Sequence, residues 1–197
     1  MSDLAGHLEG GGLVILAGDE LRGGDLDLAA AASRITADTI AFMARNGRGL
    51  ICLGLSADRA TALGIEPQQR DGHGSSGRPF GQSIEARDGV TTGISAADRA
   101  TTVRIAVDPA RGREDLVSPG HVFPLIADPG GPAVRLSTLE AGLEIVRSCG
   151  VGEGVVLCAM LREDGSMARI GELTDWAAEQ GIPIVDIRAW VTEQGRK

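Results

Sequence analysis

Short apolar runs alternate with polar, glycine-rich segments along the chain, and the runs are five to eight residues long. That length is typical of buried strands, because a strand of this size crosses one sheet. Several of the runs follow one another closely enough to form hairpins. The pattern predicts strands over residues 13–17, 50–55, 80–86, 122–127, 154–161 and 182–187.

Helical segments lie between these strands, and most have a recognisable start or stop. Serine or threonine precedes three of them with the spacing of a helix N-cap, and glycine follows others as a C-terminal stop. We predict helices over 37–46 after Thr36, from Ser95 and Asp98 through 99–106, from Ser137 and Glu140 to Ser148, over 173–180, and in the tail from Arg188.

The uneven order of these elements predicts an α+β, or layered α/β, domain with a mixed sheet. No internal repeat, linker or shift in composition divides the chain. The first twelve residues are polar and glycine-rich, which is typical of a loose terminus. We therefore predict a flexible N-terminus over 1–12 and a single domain over 13–197.

Composition narrows the class of protein. The formal charge of −8 argues against non-specific binding to nucleic acid. No apolar run reaches the roughly 18–20 residues of a membrane span, and no basic-then-apolar leader opens the sequence. Cys52, Cys149 and Cys158 lack C-x-x-C spacing, which suits a reducing compartment and gives no zinc signal. We predict a cytoplasmic protein with no nucleic-acid or membrane partner.

The most informative stretch is GVTTGISAADR, residues 89–99. It leads into a helix start, where unpaired backbone N–H groups are flanked by the hydroxyls of Thr91, Thr92 and Ser95. This arrangement suits an anion, above all a phosphate group. A well-capped helix with a polar entry loop explains the same pattern, since S-x-x-D spacing is common.

Three further places carry candidate chemistry. The acidic stretch 18–28 surrounds Arg22 with carboxylates, among them Asp19 and Asp27, and it is either a magnesium site or a solvated loop. Cys52 lies in an apolar strand, where a free cysteine is usually a small buried hydrophobe. His121 follows a Pro-Gly turn before another strand, and residues 70–78 form a Gly/Ser-rich loop that holds His73.

The sequence resembles the 3,4-dihydroxy-2-butanone 4-phosphate synthase family of riboflavin biosynthesis. GVTTGISAADR is similar to the family signature, and three other segments agree in the same order. They are IAFMARNGRGLICLGL at 40–55, DLVSPGHVFPL at 115–125 and EDGSMAR at 163–169. The resemblance implies the family fold and a homodimer whose active sites draw on both subunits.

The resemblance also implies a reaction: ribulose 5-phosphate is converted to formate and a four-carbon ketone phosphate with the help of Mg²⁺. In the family the metal stabilises enediolate charge. Carboxylates move protons, and an arginine with backbone N–H groups holds the phosphate. A cysteine at the place of Cys52 and a histidine at the place of His121 lie near the family's substrate.

Three positions depart from the family motifs. The acidic motif D-D-E-D-R-E-N-E-G-D-L has a metal-binding glutamate where this chain has Gly23. The motif R-A-G-H-T-E has a metal-binding histidine where this chain has Thr138, although Arg135 and Glu140 match. The catalytic glutamate of I-C-E corresponds to Ala159. A magnesium site without its glutamate and histidine keeps few fixed ligands.

From these departures we predict a divergent homologue that acts without a metal cofactor on a different anionic or hydroxylated small molecule, in a specialised bacterial pathway. The catalytic candidates are Asp19, Glu20, Cys52, Asp98 and His121. The substrate-binding candidates are Arg22, Asp27, Thr91, Thr92, Ser95, Arg135 and Thr138.

Two alternatives stay open. The first is a true synthase in which Asp25, Asp27 or His73 replaces the missing ligands. The second is a non-catalytic binding protein that kept the dimer and lost the chemistry.

Overall fold

The computed structural model describes residues 2–69 and 77–195. Its centre is one seven-stranded mixed sheet in the order β4-β5-β3-β6-β2-β1-β7. The strands are β1 Val14–Asp19, β2 Asp25–Ala31, β3 Arg48–Leu55, β4 Ile84–Ala86, β5 Leu116–Ile126, β6 Gly154–Met160 and β7 Ile184–Asp186. Strands β1 and β7, and β3 and β5, pair in parallel, whereas the other neighbours are antiparallel. The predicted α/β class with a mixed sheet is confirmed.

Seven helices cover the two faces of this sheet in the described part of the chain. They are α1 Ser2–Glu9, α2 Ala37–Asn46, α3 Ala57–Ala62, α4 Ala96–Val107, α5 Thr138–Ser148, α6 Ile170–Glu179 and α7 Ile187–Gln194. One core cluster joins α2, α4 and α6 to the sheet, and a second joins α1, α5 and α7 to its other face. The molecule therefore has three layers with the sheet in the middle.

The alternation of side chains along β2 places the key carboxylate of the site. Leu26, Leu28 and Ala30 pack in the cluster with α2 and α4, whereas Ala29 and Ala31 pack in the cluster with α5. Because successive side chains of a strand point to opposite faces, Asp27 belongs to the α5 face. It pairs across the sheet with Ala159 of β6.

The capping patterns are confirmed at three helices. Thr36 accepts a hydrogen bond from the backbone N–H of Thr39 at the start of α2. Ser95 accepts from Asp98 N at 3.0 Å before α4. Ser137 accepts from Leu139 N at 3.1 Å before α5. These are short-range interactions, which explains why the sequence pattern predicted them.

Elsewhere the structure differs from the predicted elements. The acidic stretch is a turn only up to Gly24, because β2 already begins at Asp25. Of the predicted strand over 80–86, only Ile84–Ala86 forms a strand. Phe80 makes an isolated β-bridge to Leu125. Residues 119–121 lie inside β5, where the Ser118–Pro119 bond is cis.

The N-terminal segment forms α1 in the structure. Leu4 and Leu8 are one helical turn apart and pack against the α5 face, and Leu8 is buried. The polar, glycine-rich composition had predicted a flexible terminus. The i, i+4 spacing of these two leucines is the feature of the sequence that indicates a helix instead.

Candidate functional site

A buried group of charged side chains lies at one end of the sheet. Its centre is Asp27, which is fully buried. Arg22 Nη2 donates to Asp27 Oδ2 at 2.5 Å, and Thr138 Oγ1 donates to the same oxygen at 2.6 Å. Arg78 Nη2 donates to Asp27 Oδ1. We call Asp19, Arg22, Asp27, Arg78 and Thr138 the Asp27 cluster.

Asp19 completes this cluster and is only partly satisfied. Its Oδ2 accepts from Arg22 Nε at 2.9 Å and from the backbone N–H of Thr138 at 3.2 Å. Its Oδ1 is buried and has no hydrogen-bond partner within the described ranges. A buried carboxylate oxygen without a partner is costly, by about 1–3 kcal/mol or more. This oxygen is therefore a candidate contact for a ligand.

Asp19, Thr138 and Arg22 come from three separate elements. Asp19 ends β1, and Thr138 is the first residue of α5, so the carboxylate meets the helix start with its free N–H groups. Arg22 lies in the turn between β1 and β2, where Gly23 and Gly24 have φ of 67° and 81°. Both glycines adopt the left-handed conformation that other residues rarely take. The tight turn lets Arg22 reach back to both aspartates.

The two guanidinium groups decide the ionisation of Asp27. Burial alone would raise the pKa of this carboxyl, but Arg78 and Arg22 outweigh burial and hold its pKa below the ordinary value. Burial likewise would lower the pKa of Arg78, and the Asp27 carboxylate outweighs it and raises that pKa. Asp27 is therefore a carboxylate at neutral pH and an acceptor of hydrogen bonds, not a proton donor.

A narrow cavity of about 10 Å³ adjoins the Asp27 cluster. Its lining includes Asp19, Arg22, Arg78 and Thr138 of the cluster, and also Arg135. The Arg135 side chain is 25% exposed and lies 3.6 Å from Glu140 Oε1. Glu140 is itself held by Ser137 and by the backbone N–H of Asp128. Three arginines thus converge on one small space, which suits an anionic, oxygen-rich ligand.

The GVTTGISAADR loop is folded around Asp98. The Asp98 carboxylate accepts from Thr91 Oγ1 at 2.9 Å and from Gly93 N at 3.1 Å. These bonds, led by the one from Thr91, lower the pKa of Asp98. Asp98 is buried and shapes the loop, which leaves Thr92 and Ser95 exposed. In the described part of this chain, Thr91, Thr92 and Ser95 do not line the cavity beside Asp27.

His121 forms a pair with a residue that sequence reasoning did not single out. Its Nδ1 lies 2.7 Å from Glu85 Oε2, with His121 on β5 and Glu85 on β4. The Glu85 carboxylate also packs against Gly93, where an added Cβ would lie 2.0 Å from Glu85 Cδ. A Cβ here would displace the flexible Glu85 carboxylate, and the φ of 80° at Gly93 independently favours glycine. The pair connects His121 to the GVTTGISAADR loop.

The remaining catalytic candidates lie in less suitable surroundings. Burial raises the pKa of the Cys52 thiol to about 12, so that it stays protonated at neutral pH and lacks thiolate reactivity. The Glu20 side chain is 69% exposed and pairs with Arg188 of α7 at 2.5 Å. His73 lies outside the described residues. A larger groove, of about 920 Å³, lies beside β4 and the start of β5 and contains none of the predicted site residues.

Arg78 and Glu85 contact predicted site residues, and the sequence did not single them out. Arg78 meets Asp27 across 51 positions of sequence, and Glu85 meets His121 across 36. No motif spacing marks such pairs, because each depends on which strands become neighbours. A single arginine before a proline, as in Arg78–Pro79, does not by itself indicate a binding or catalytic residue.

Fold and site together define a three-layer α/β protein in which three arginines line one small cavity. The sequence model of the 3,4-dihydroxy-2-butanone 4-phosphate synthase family matches residues 2–192. The chain belongs to this family, as the sequence resemblance predicted.

Individual relatives agree with this assignment. A protein of Pseudomonas aeruginosa named 3,4-dihydroxy-2-butanone 4-phosphate synthase is 44% identical over 93% of this chain and 50% of its own length. One of Cupriavidus pinatubonensis with the same name is 41% identical over 90% of this chain and 81% of its own. The chain thus spans half the length of the first relative and about four-fifths of the second.

A solved structure of a 3,4-dihydroxy-2-butanone 4-phosphate synthase in complex with two magnesium ions matches over 99% of this chain and 96% of that one. The TM-score is 0.92 at 30% sequence identity. The fold of the family is therefore the fold of this chain over nearly its whole length.

These comparisons correct the predicted function. We predicted a divergent enzyme for a different substrate because Gly23, Thr138 and Ala159 replace family residues. That prediction is wrong, since relatives at 38–44% identity that cover about nine-tenths of the chain or more carry the synthase name. Three substitutions do not outweigh the sequence similarity that the chain and its relatives share over the rest of the domain. The comparisons favour the true synthase, which was the first alternative.

The prediction that the chain uses no metal cofactor is also wrong in the light of the magnesium-bound relative. Mg²⁺ in enzymes is often held by one or two carboxylates, with water and substrate oxygens completing an octahedron. Within residues 2–69 and 77–195 no group of three or more His, Cys, Asp or Glu side chains could hold an ion. The free buried oxygen Asp19 Oδ1 nevertheless suits Mg²⁺. An ion held through Asp19 would have to take its remaining ligands from substrate and water.

Proposed function

We propose that the chain is a 3,4-dihydroxy-2-butanone 4-phosphate synthase that converts ribulose 5-phosphate to the four-carbon ketone phosphate and formate. The observation that carries the proposal is the family match across residues 2–192. The cavity supports it independently, because Arg22, Arg78 and Arg135 converge there beside two carboxylates. A sugar phosphate offers both an anion for arginines and hydroxyl groups for carboxylates.

Each residue has a distinct task in this proposal. Arg135, the most exposed of the three arginines at the cavity, receives the phosphate as a planar bidentate donor. Asp27 stays ionised and orients Arg22, Arg78 and Thr138. Thr138 Oγ1 donates its hydrogen bond to Asp27 Oδ2 at 2.6 Å and accepts one from Arg22 Nη2 at 3.2 Å, which fixes the orientation of this hydroxyl beside the cavity.

Asp19 is the residue of the cluster that would hold Mg²⁺, through Oδ1. When bound, the metal supplies positive charge for the enediolate oxygens of the substrate. Without it, the chain's own residues still bind and orient the sugar phosphate, since the arginines need no metal to donate hydrogen bonds. Turnover and binding should therefore respond differently to chelation.

The test is a formate assay with ribulose 5-phosphate, run with Mg²⁺ and with a chelator. We expect formate in equal amount to the ketone phosphate with Mg²⁺, and at least about tenfold less after chelation. A matched control is Glu144→Gln, on the exposed part of α5. The absence of formate above background in the presence of Mg²⁺ would contradict the proposed reaction.

The proposal includes a homodimer with shared active sites, located in the cytoplasm and without nucleic-acid partners. In the described ranges no helix has the length and hydropathy to cross a membrane. Ile94 and Val134 are 55% and 70% exposed, and each adjoins a predicted ligand-binding residue, Ser95 and Arg135. A second copy covering these side chains would bring a GVTTGISAADR loop to the cavity. Light scattering on the purified protein tests this, and a monomer at micromolar concentration would contradict it.

A further inference from the structure

Arg78 is an incompletely satisfied cation of the Asp27 cluster. Its Nη2 donates to Asp27 Oδ1, whereas its Nη1 is buried and has no hydrogen-bond partner within the described ranges. Buried guanidinium N–H groups are rarely left without an acceptor, because the bond lost to water is not recovered. The structure therefore leaves a donor that awaits an acceptor from outside these residues.

The backbone around Arg78 is held in place, so this donor has a defined position. The carbonyl oxygen of Pro79 accepts from Ile126 N at 2.9 Å, at the end of β5. The carbonyl oxygen of Arg78 accepts from Phe80 N at 3.0 Å. With Asp27 holding one amino group, the guanidinium plane cannot turn without breaking a buried ion pair. Arg78 is among the residues that line the cavity, together with Asp19 and Thr138.

We propose that Arg78 Nη1 donates a hydrogen bond to an uncharged oxygen on the carbon skeleton of the substrate, a hydroxyl or carbonyl group, and not to its phosphate. This inference rests on the proposed function, in which the substrate is a ketose phosphate. Arg78 is then a substrate-binding residue that also positions Asp27.

The surrounding charges exclude the phosphate from this position. Asp27 contacts Arg78 directly, and Asp19 is close enough to contribute to its ionisation. These two carboxylates balance the charges of Arg22 and Arg78, so this position has no net positive charge to hold a dianion. A phosphate group also needs several donors, whereas Arg78 has one amino group free. Arg135 is more exposed and pairs with only one carboxylate, Glu140, at the longer distance of 3.6 Å.

The Arg78 guanidinium group thereby sets the distance between the substrate and the Asp27 carboxylate. Its two amino groups are rigidly coplanar, and one holds Asp27 while the other holds the substrate oxygen. The bound skeleton consequently lies beside the Asp27 cluster in a fixed orientation. Lysine at this position would keep the charge and the pairing with Asp27 but lose the planar second donor.

The experiment compares two probes on Arg78→Lys by isothermal titration calorimetry. The probes are ribulose 5-phosphate and inorganic phosphate. We expect the dissociation constant for ribulose 5-phosphate to rise about tenfold or more, as for a lost hydrogen bond to a charged group. The constant for inorganic phosphate should change by less than about twofold. The matched control is Arg147→Lys, whose exposed side chain pairs with Glu153 on the surface.

A crystal structure of the wild-type protein with ribulose 5-phosphate needs no variant and covers the case in which Arg78→Lys fails to fold. A skeleton oxygen within hydrogen-bond distance of Nη1 supports the proposal. A phosphate oxygen there, or only an ordered water, overturns it. Unchanged affinity in Arg78→Lys, or equal losses for both probes, overturns it as well.

The outcomes separate this inference from the proposed reaction. If the wild-type protein binds ribulose 5-phosphate but releases no formate, the reaction is contradicted, and the affinities still decide the role of Arg78. If the wild-type protein does not bind ribulose 5-phosphate at all, the inference about Arg78 is overturned together with the reaction.

Discussion

The Asp27 cluster on β1 and β2 and the His121–Glu85 pair on β4 and β5 belong to one sheet, with β3 and β6 between them, but they are held in opposite ways. Asp19 and Asp27 are fully buried, and two arginines with 13% exposed side chains compensate them. The His121 side chain is 45% exposed, and its contact with Glu85 is a single pair. The Asp27 cluster is a fixed network of buried ion pairs. The His121–Glu85 pair is an exposed contact that a ligand or a second subunit can still rearrange.

This difference shows where substitutions should act on stability and where on function alone. A buried charge that loses its partner is expensive, because the low-dielectric interior does not solvate it. An exposed pair is solvated with or without its partner. The following predictions test that contrast, from the largest expected effect to the smallest.

Asp27→Leu should destabilise the protein by about 3–5 kcal/mol, because Arg22 and Arg78 would lose their shared buried carboxylate. Urea denaturation measures the change. The control is Glu144→Leu, which breaks an exposed pair with Arg147 and should cost no more than about 1 kcal/mol. Similar small losses in both variants would show that the Asp27 cluster is not the fixed network described above.

Asp19→Asn should weaken magnesium binding in the presence of ribulose 5-phosphate by about 10–100-fold, a loss that even outer partners of metal ligands produce. Calorimetric titration of Mg²⁺ into the protein–sugar mixture measures it. Glu144→Gln serves as the control, because the Glu144 carboxylate pairs with Arg147 away from the Asp27 cluster. Tight stoichiometric binding of Mg²⁺ to the Asp19→Asn variant would place the metal elsewhere.

Acid should remove the contribution of Asp27 to stability. The folded-state pKa of Asp27 is lowered, so its stabilising effect is fully present above the unfolded pKa of about 3.9 and is lost as the pH falls through the lowered value. The difference in unfolding free energy between wild type and Asp27→Asn should be constant from about pH 8 to pH 5 and shrink below about pH 4. A difference that grows on acidification would contradict this sign.

His121→Gln should change the unfolding free energy by less than about 1 kcal/mol, because the pair with Glu85 is exposed. The formate assay on the same variant separates the two possible roles of His121. A loss of turnover with unchanged melting temperature identifies a functional residue. A melting temperature that falls as far as in Asp27→Leu would mean that both regions are equally structural.

Local features of the fold were predictable because their interactions are local. Thr36, Ser95 and Ser137 cap helices through bonds to residues two or three positions away, and the structure places them where the pattern did. The apolar runs became strands for the same reason, since burial follows hydropathy. Strand β2 was missed because Asp25 and Asp27 alternate with leucines, and carboxylates in a strand read as a loop.

The candidate site was predictable in its membership but not in its arrangement. Arg22, Asp27, Arg135 and Thr138 were predicted to bind substrate. The structure brings all of them but Asp27 to the lining of one cavity, and Asp27 is buried in contact with Thr138. Which carboxylate oxygen would remain free was not predictable, because it depends on the reach of Arg22 and Arg78. The prediction of a different function, which was based on Gly23, Thr138 and Ala159, was wrong.

The sequence by itself determined the helix starts, the buried strands and the family, because each rests on neighbouring residues or on motifs. Only the tertiary structure decided that Thr138 meets Asp19 across 119 positions, that Arg78 meets Asp27 across 51, and that Glu85 meets His121. Such contacts follow from strand order and register, which set the face on which each side chain lies. A shift of one residue in β2 would move Asp27 to the opposite face, although no local preference in the sequence would change.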